Sequence, residues 1–191
     1  MKMVALMGSP RKQGNTDLLV DAFFEGAKSE GAEVVKVYLN DLTIRGCQAC
    51  LACHKTGKCR QKDDMIGVYD RLLEADLWVI ATPVYWWGPT AQIKTAIDRW
   101  YCLCYGDNPG VIKGKKMVLI AACADQVRLA TPYLYNMIRE SISFLKMEWA
   151  GDLAVQAGAR GEVAKKPREL ALARKLGIQA VANKKCKKFP P

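Results

Sequence analysis

The chain has 191 residues, a mass of 21.2 kDa, half of its residues hydrophobic and a net charge of +10; that length suits one substantial core, and a single domain over residues 1 to 191 is expected. No stretch approaches the about 18 to 20 apolar residues that cross a bilayer, and MKMVALM is too short for a secretory core, so the expected setting is the cytoplasm, with reduced thiols and no membrane role. Ten of the basic residues fall between 160 and 191 against only Glu162 and Glu169, so the excess sits on one late helix and a KKCKKFPP tail (184 to 191) rather than on a nucleic-acid-binding face, and no nucleic-acid partner is expected.

Apolar β-branched runs alternate with helix-period segments along the chain, the pattern of βαβ units around a parallel sheet. Strands are expected near 2 to 7, 33 to 39, 76 to 82, 116 to 123 and 148 to 156. Helices are expected near 16 to 30, 65 to 75, 90 to 104, 130 to 146 and 168 to 183. The third and fourth strands are apolar almost throughout, as strands covered on both faces are. The fold class that follows is α/β, a doubly wound five-stranded parallel sheet.

The first strand runs into GSPRKQGNT (8 to 16) and then directly into a helix, the position where open α/β sheets bind ligands. Gly8 and Gly14 let the backbone curl, Ser9, Asn15 and Thr16 add donors, and Arg11 and Lys12 add charge, with no acid before Asp17. With the positive end of the helix beside them, these groups suit a phosphate. The plainer alternative is a turn in which Thr16 merely caps the helix.

Between the second strand and the second helix lies a connection, about 40 to 64, far longer than the usual two to six residues. Its cysteine-rich part (44 to 64) holds Cys47, Cys50, Cys53 and Cys59, four of the eight cysteines, spaced C-x2-C-x2-C-x5-C. Structural zinc usually takes two knuckles further apart, whereas three thiolates at x2 spacing closed by a fourth suit a 4Fe-4S cubane. A disulfide knot, a zinc knuckle and a metal-free loop are the competing readings. Lys55, Lys58, Arg60 and Lys62 would offset the negative charge of a cluster, or simply be solvated. His54, the only histidine, leaves little basis for a hydrolase and is read as an exposed loop residue, with cluster tuning as the alternative.

The third strand ends in TPVYWWGP (82 to 89) at the same sheet edge. Backbone amides of a tight loop there, with Tyr85, Trp86 and Trp87 as flat surface, suit a largely apolar ring with a polar rim. The aromatics could equally plug a core or an interface, Trp87 above all. After the fourth strand, CADQVRLATP (123 to 132) lacks a glycine-rich turn, and Cys123 to Gln126 are only weakly assigned to the ring. Cys102 and Cys104, two residues apart on an expected helix, face different ways and are read as unable to share one metal with ease; Cys123 and Cys186 are read as bland.

GSPRKQGNT after a first strand, together with PVYWWGPTAQIKTAIDR, resembles the flavodoxin-like family of NAD(P)H-dependent FMN reductases over nearly the whole chain. The resemblance implies that Ser9, Arg11, Gly14, Asn15 and Thr16 hold the FMN phosphate and that Pro83, Val84, Tyr85, Trp86 and Gly88 wrap its ring. The cysteine run is similar to that of the iron-sulfur flavoproteins of anaerobes, which implies Cys47, Cys50, Cys53 and Cys59 as ligands of a 4Fe-4S cluster exchanging electrons with FMN, commonly across an oligomer. The resulting expectation is an electron-transfer flavoprotein working between a ferredoxin-like donor and an acceptor, a homo-oligomer with Trp87, Trp100 and Tyr101 at its interface. The alternatives are an NAD(P)H-dependent FMN or quinone reductase without a working cluster, and a basic binding module.

Overall fold

The computed structural model describes residues 1 to 182, so the basic tail and Cys186 lie outside the described residues. Five strands, β1 (Lys2–Met7), β2 (Glu33–Tyr38), β3 (Leu77–Pro83), β4 (Lys116–Cys123) and β5 (Glu148–Gln156), lie within a residue of their expected limits. They form one parallel sheet in the order β2-β1-β3-β4-β5. This is the flavodoxin-like order, with its reversal of winding between β1 and β3.

The helices are α1 (Asn15–Ser29), α2 (Met65–Glu74), α3 (Ala91–Arg99), α4 (Asn108–Ile112), α5 (Val127–Ala130), α6 (Pro132–Phe144) and α7 (Pro167–Val181). Period-two burial divides each central strand between two cores. Val4 and Leu6 of β1, with Met117 and Leu119 of β4, face α2, α3 and α6, while Met3, Ala5, Val118 and Ile120 face α1 and α7. The last two helices of that second layer approach closely. A side chain at Gly26 would run into the Arg174 carbonyl, and one at Gly177 into the Phe23 carbonyl.

Three helical expectations change. The segment 90 to 104 is helical only to Arg99 and tightens into a 3-10 turn over Trp100–Cys104. The Cys102 carbonyl accepts from the Asn108 side chain at 3.1 Å, and Gly106 turns the chain at φ 61°. The helix expected over 130 to 146 is α6, which starts at Pro132, a residue with no N–H to donate, and the one-turn α5 just before it was not expected. The short α4 was not expected. Trp100, expected at an interface, is a core residue, 3% exposed and packed on Trp78 with centroids 5.4 Å apart.

Candidate functional site

The turns after β1 and β3 are tied into one unit. Gly8 N–H donates to the Ala81 carbonyl at 2.7 Å, and Thr90, the cap of α3, donates its hydroxyl to the Gly8 carbonyl at 2.9 Å. Gly8 is required there, because a Cβ would strike the Ile93 side chain. Ser9 is buried, and its Oγ accepts the Arg11 N–H at 3.2 Å. Arg11 is exposed and forms no ion pair among the described residues. Gly14 precedes the first turn of α1 in extended backbone, and Thr16 is buried.

Asn15 differs from expectation. Its Nδ2 donates to the Ala157 and Ala159 carbonyls at 3.1 and 2.8 Å, and its Oδ1 accepts the Val163 N–H at 3.1 Å. That side chain is spent on the loop after β5; what Asn15 leaves for an anion is its backbone amide. The donor set of the turn therefore fits a phosphate through the Ser9 hydroxyl, the exposed Arg11 guanidinium and the N-terminal amides of α1.

A brace under this turn escaped the sequence reading. Gln13 is left-handed (φ 58°), and its N–H donates at 2.7 Å to Asp17, a carboxylate only 4% exposed. Lys36 reaches Asp17 at 2.5 Å and Asp21 at 2.6 Å, and the Tyr38 hydroxyl donates to Asp17 at 3.0 Å. Burial alone would raise the Asp17 carboxyl, but Lys36, the Gln13 N–H and Tyr38 outweigh it and hold it below the usual range. The missed signal lies in β2, where Lys36 and Tyr38 share one face of an edge strand beside α1.

Beyond β3 the chain makes a two-residue hairpin. Tyr85 and Gly88 exchange both backbone hydrogen bonds at 3.0 Å, and Trp86 and Trp87 between them are both left-handed (φ 49° and 60°). Such backbone at consecutive bulky residues costs roughly 1 to 2 kcal/mol each and concentrates where a site uses it. Trp86 is 91% exposed as a result. Pro83 and Val84 are half-buried at the base, and Val84 N–H donates to the Ala122 carbonyl of β4. The neighbouring Cys123–Gln126 turn is closed by its own contacts, Cys123 Sγ to the Asp125 carbonyl at 3.2 Å and Gln156 to the Ala124 carbonyl.

The cysteine loop follows β2 at the same edge of the sheet. Its two ends zip together: Thr43 N–H donates to Asp64, Asp64 N–H to the Thr43 carbonyl, Arg45 N–H to Asp63 and the Gln61 side chain to the Gly46 carbonyl. Arg99, with no exposed side-chain surface, locks this neck. Its guanidinium donates to both Asp63 oxygens at 2.7 and 3.1 Å and to the Arg45 carbonyl at 2.7 Å. Burial would raise the Asp63 carboxyl, but Arg99 and the Arg45 amide hold it well below the usual range.

Within the loop, Ala49 and Leu51 are left-handed and curl the chain between the first three cysteines. Cys47 and Cys50 are exposed, while Cys53 and Cys59 are half-buried and pack on the core. Burial pushes the Cys53 thiol up, and Cys59, Cys50 and Cys47 push it further, so each of those three lies within electrostatic reach of Cys53. Among the described residues no three His, Cys, Asp or Glu side chains are gathered to hold a single metal ion. Four free thiols on one curled loop are the donor set that a 4Fe-4S cluster takes. Asn108 pins the loop tip by donating to the Gly57 carbonyl at 2.7 Å, and exposed His54 stacks on Tyr105 and lies 3.0 Å from the Tyr101 hydroxyl. Cys102 also proves to be a neighbour of the quartet: burial pushes it up to about 11, and the charges of Cys59 and Cys53 act on it in the same direction.

A doubly wound parallel sheet with a donor-rich turn after β1 and an aromatic hairpin after β3 defines a flavodoxin-like domain. Residues 1 to 158 match the family described as NADPH-dependent FMN reductase, and the chain belongs to that family. It is 42% identical over 115 residues to an iron-sulfur flavoprotein of Archaeoglobus fulgidus, covering 60% of this chain and 51% of the relative. It is 36% identical over 148 residues to an iron-sulfur flavoprotein of Methanocaldococcus jannaschii, covering 74% of each chain. The chain thus spans about half the length of the first relative and about three-quarters of the second. An NAD(P)H:quinone oxidoreductase from Methanothermobacter marburgensis shares the fold at a TM-score of 0.71 with 16% identity, over 93% of both chains. No helix among the described residues is long and apolar enough to cross a membrane.

Proposed function

We propose that this chain is an electron-transfer flavoprotein that uses FMN and a 4Fe-4S cluster. The observation that carries the reading is that one sheet edge holds both the donor-rich turn of α1 and a curled loop of four free thiols. Ser9, Arg11, the backbone at Gly14 and Asn15, and the helix start at Thr16 would hold the FMN phosphate. Pro83, Val84, Tyr85, Trp86 and Gly88 would lie along its ring, and Cys47, Cys50, Cys53 and Cys59 would hold the cluster. When bound, the flavin would supply one- or two-electron chemistry and the cluster one-electron chemistry. The protein would set their positions: the tied turns hold the flavin site together, and the locked neck holds the base of the cysteine loop. A ferredoxin-like protein or NAD(P)H as donor, a homo-oligomeric state and a cytoplasmic setting complete the proposal.

The family's own description supports a second reading, an NAD(P)H-dependent FMN or quinone reductase whose cysteine loop is structural. Anaerobic purification separates the two. The first expects a brown protein with about four iron and four sulfide per chain and extractable FMN. Protein that stays yellow and iron-free after anaerobic reconstitution, yet is reduced by NADPH, sinks the first and leaves the second.

A further inference from the structure

The described residues contain three buried side-chain polar atoms without a hydrogen-bond partner: Gln61 Oε1, Arg99 Nε and Trp100 Nε1. Each such atom costs roughly 1 to 3 kcal/mol unless something satisfies it. Two of them lie at one place. Gln61 stands two residues after Cys59 and bonds to Gly46, beside Cys47, while Arg99 bonds to Arg45 and Asp63 at the neck of the same loop. The Arg99 guanidinium is thus committed through both terminal nitrogens and idle at Nε, with its charge fully buried.

We infer that Arg99 is a positioning residue for the group held by the four cysteines, giving it a buried positive charge from below and an N–H donor at Nε. This rests on the cluster reading above. One further fact points the same way. The carboxylate of Asp63 is saturated, accepting from Arg99, the Arg45 N–H and the Met65 N–H, so it orients the guanidinium without leaving lone pairs for the solvent. The exposed Lys55, Lys58, Arg60 and Lys62 are screened by water; Arg99 is not. Hydrogen bonds to sulfur and local charge set a cluster's potential, and groups of this kind typically change metal retention by about 10- to 100-fold.

The test reconstitutes full-length protein anaerobically with ferrous iron and sulfide, wild type beside Arg99→Gln and Arg99→Lys. Flavin binding and far-UV circular dichroism verify folding. Iron and sulfide counts, a mediated redox titration followed by electron paramagnetic resonance, and the rate of iron loss to a chelator are then compared. Arg99→Gln should shift the potential negative, because the cation that favours an added electron is gone, and should lose iron about 10-fold faster or more. Arg99→Lys should keep most of the potential but also lose iron faster, having no fork and no Nε–H. Coincident wild-type and Arg99→Gln potentials would overturn the inference and leave the cluster reading standing; wild type that takes up no iron would overturn both. Where Arg99→Gln does not fold, the lysine variant decides, and iron retention equal to wild type refutes the assignment.

Discussion

Replacing Asp17 with alanine tests the brace beneath the turn that follows β1. The carboxylate is 4% exposed and accepts from Lys36 at 2.5 Å, the Gln13 N–H at 2.7 Å and Tyr38 at 3.0 Å. Breaking a buried ion pair by removing one partner costs about 3 to 5 kcal/mol. Lys36 keeps Asp21 at 2.6 Å and is itself 15% exposed, which lowers the expectation to about 2 to 3 kcal/mol at pH 7. Because folding lowers the Asp17 pKa from 3.8, its contribution is present above that value and is lost as pH falls through the folded value. Folding raises the Lys36 pKa from 10.5, so the lysine's share is present below 10.5 and is lost as pH rises through its folded value. Urea unfolding of wild type and Asp17→Ala, followed by circular dichroism from pH 7 to pH 3, reads the difference. A penalty under about 0.5 kcal/mol at pH 7, or one that does not shrink on acidification, would refute the reasoning.

Other perturbations probe separate parts of the molecule. Gly177→Ala drives a methyl into the Phe23 carbonyl and should cost about 1 to 3 kcal/mol by forcing α7 off α1; an unchanged thermal midpoint would contradict that packing. Trp86→Gly releases left-handed strain at a residue 91% exposed, so the apoprotein should gain roughly 1 kcal/mol while flavin affinity, measured by fluorescence quenching, falls; loss of stability would disprove the strain. Iodoacetamide applied to apoprotein at pH 8 should label exposed Cys47 and Cys50 first and spare Cys102, which burial pushes up to about 11, with peptide mass spectrometry as the readout; early labelling of Cys102 would count against its burial.

The strands were legible because their chemistry is one-dimensional. Runs such as LWVIA and MVLIAA bury both faces, and no other element reads that way. Helix ends were less so: Trp100–Cys104 continues the apolar pattern of α3, and only Asn108 and Gly106, further along, tighten it into a 3-10 turn. The turn after β1 was recognisable from its glycines and donors, but Asn15 carries the same donors whether it faces an anion or the loop at Ala157 and Ala159, and only the fold decides. Asp17 with Lys36, and Asp63 with Arg99, pair residues 19 and 36 positions apart. The period-two placement of Lys36 with Tyr38 on β2 hints at the first pair, but nothing local in the sequence points from Asp63 to Arg99. The same distance hid Cys102 from the quartet.

The neck of the cysteine loop has a consequence for how this architecture diversifies. Thr43 and Asp64 are hydrogen-bonded to each other, and Arg99 secures the neighbouring Arg45 and Asp63 from the core side. The chain therefore leaves the body of the fold and re-enters it at one point, and residues 47 to 60 form an excursion beyond it that touches the body again through Cys53, Cys59 and Gly57. Their length and thiol content can be rewritten by insertion or deletion while β2 and α2 stay in register. An edge built this way lets one scaffold host different redox equipment without relearning how to fold.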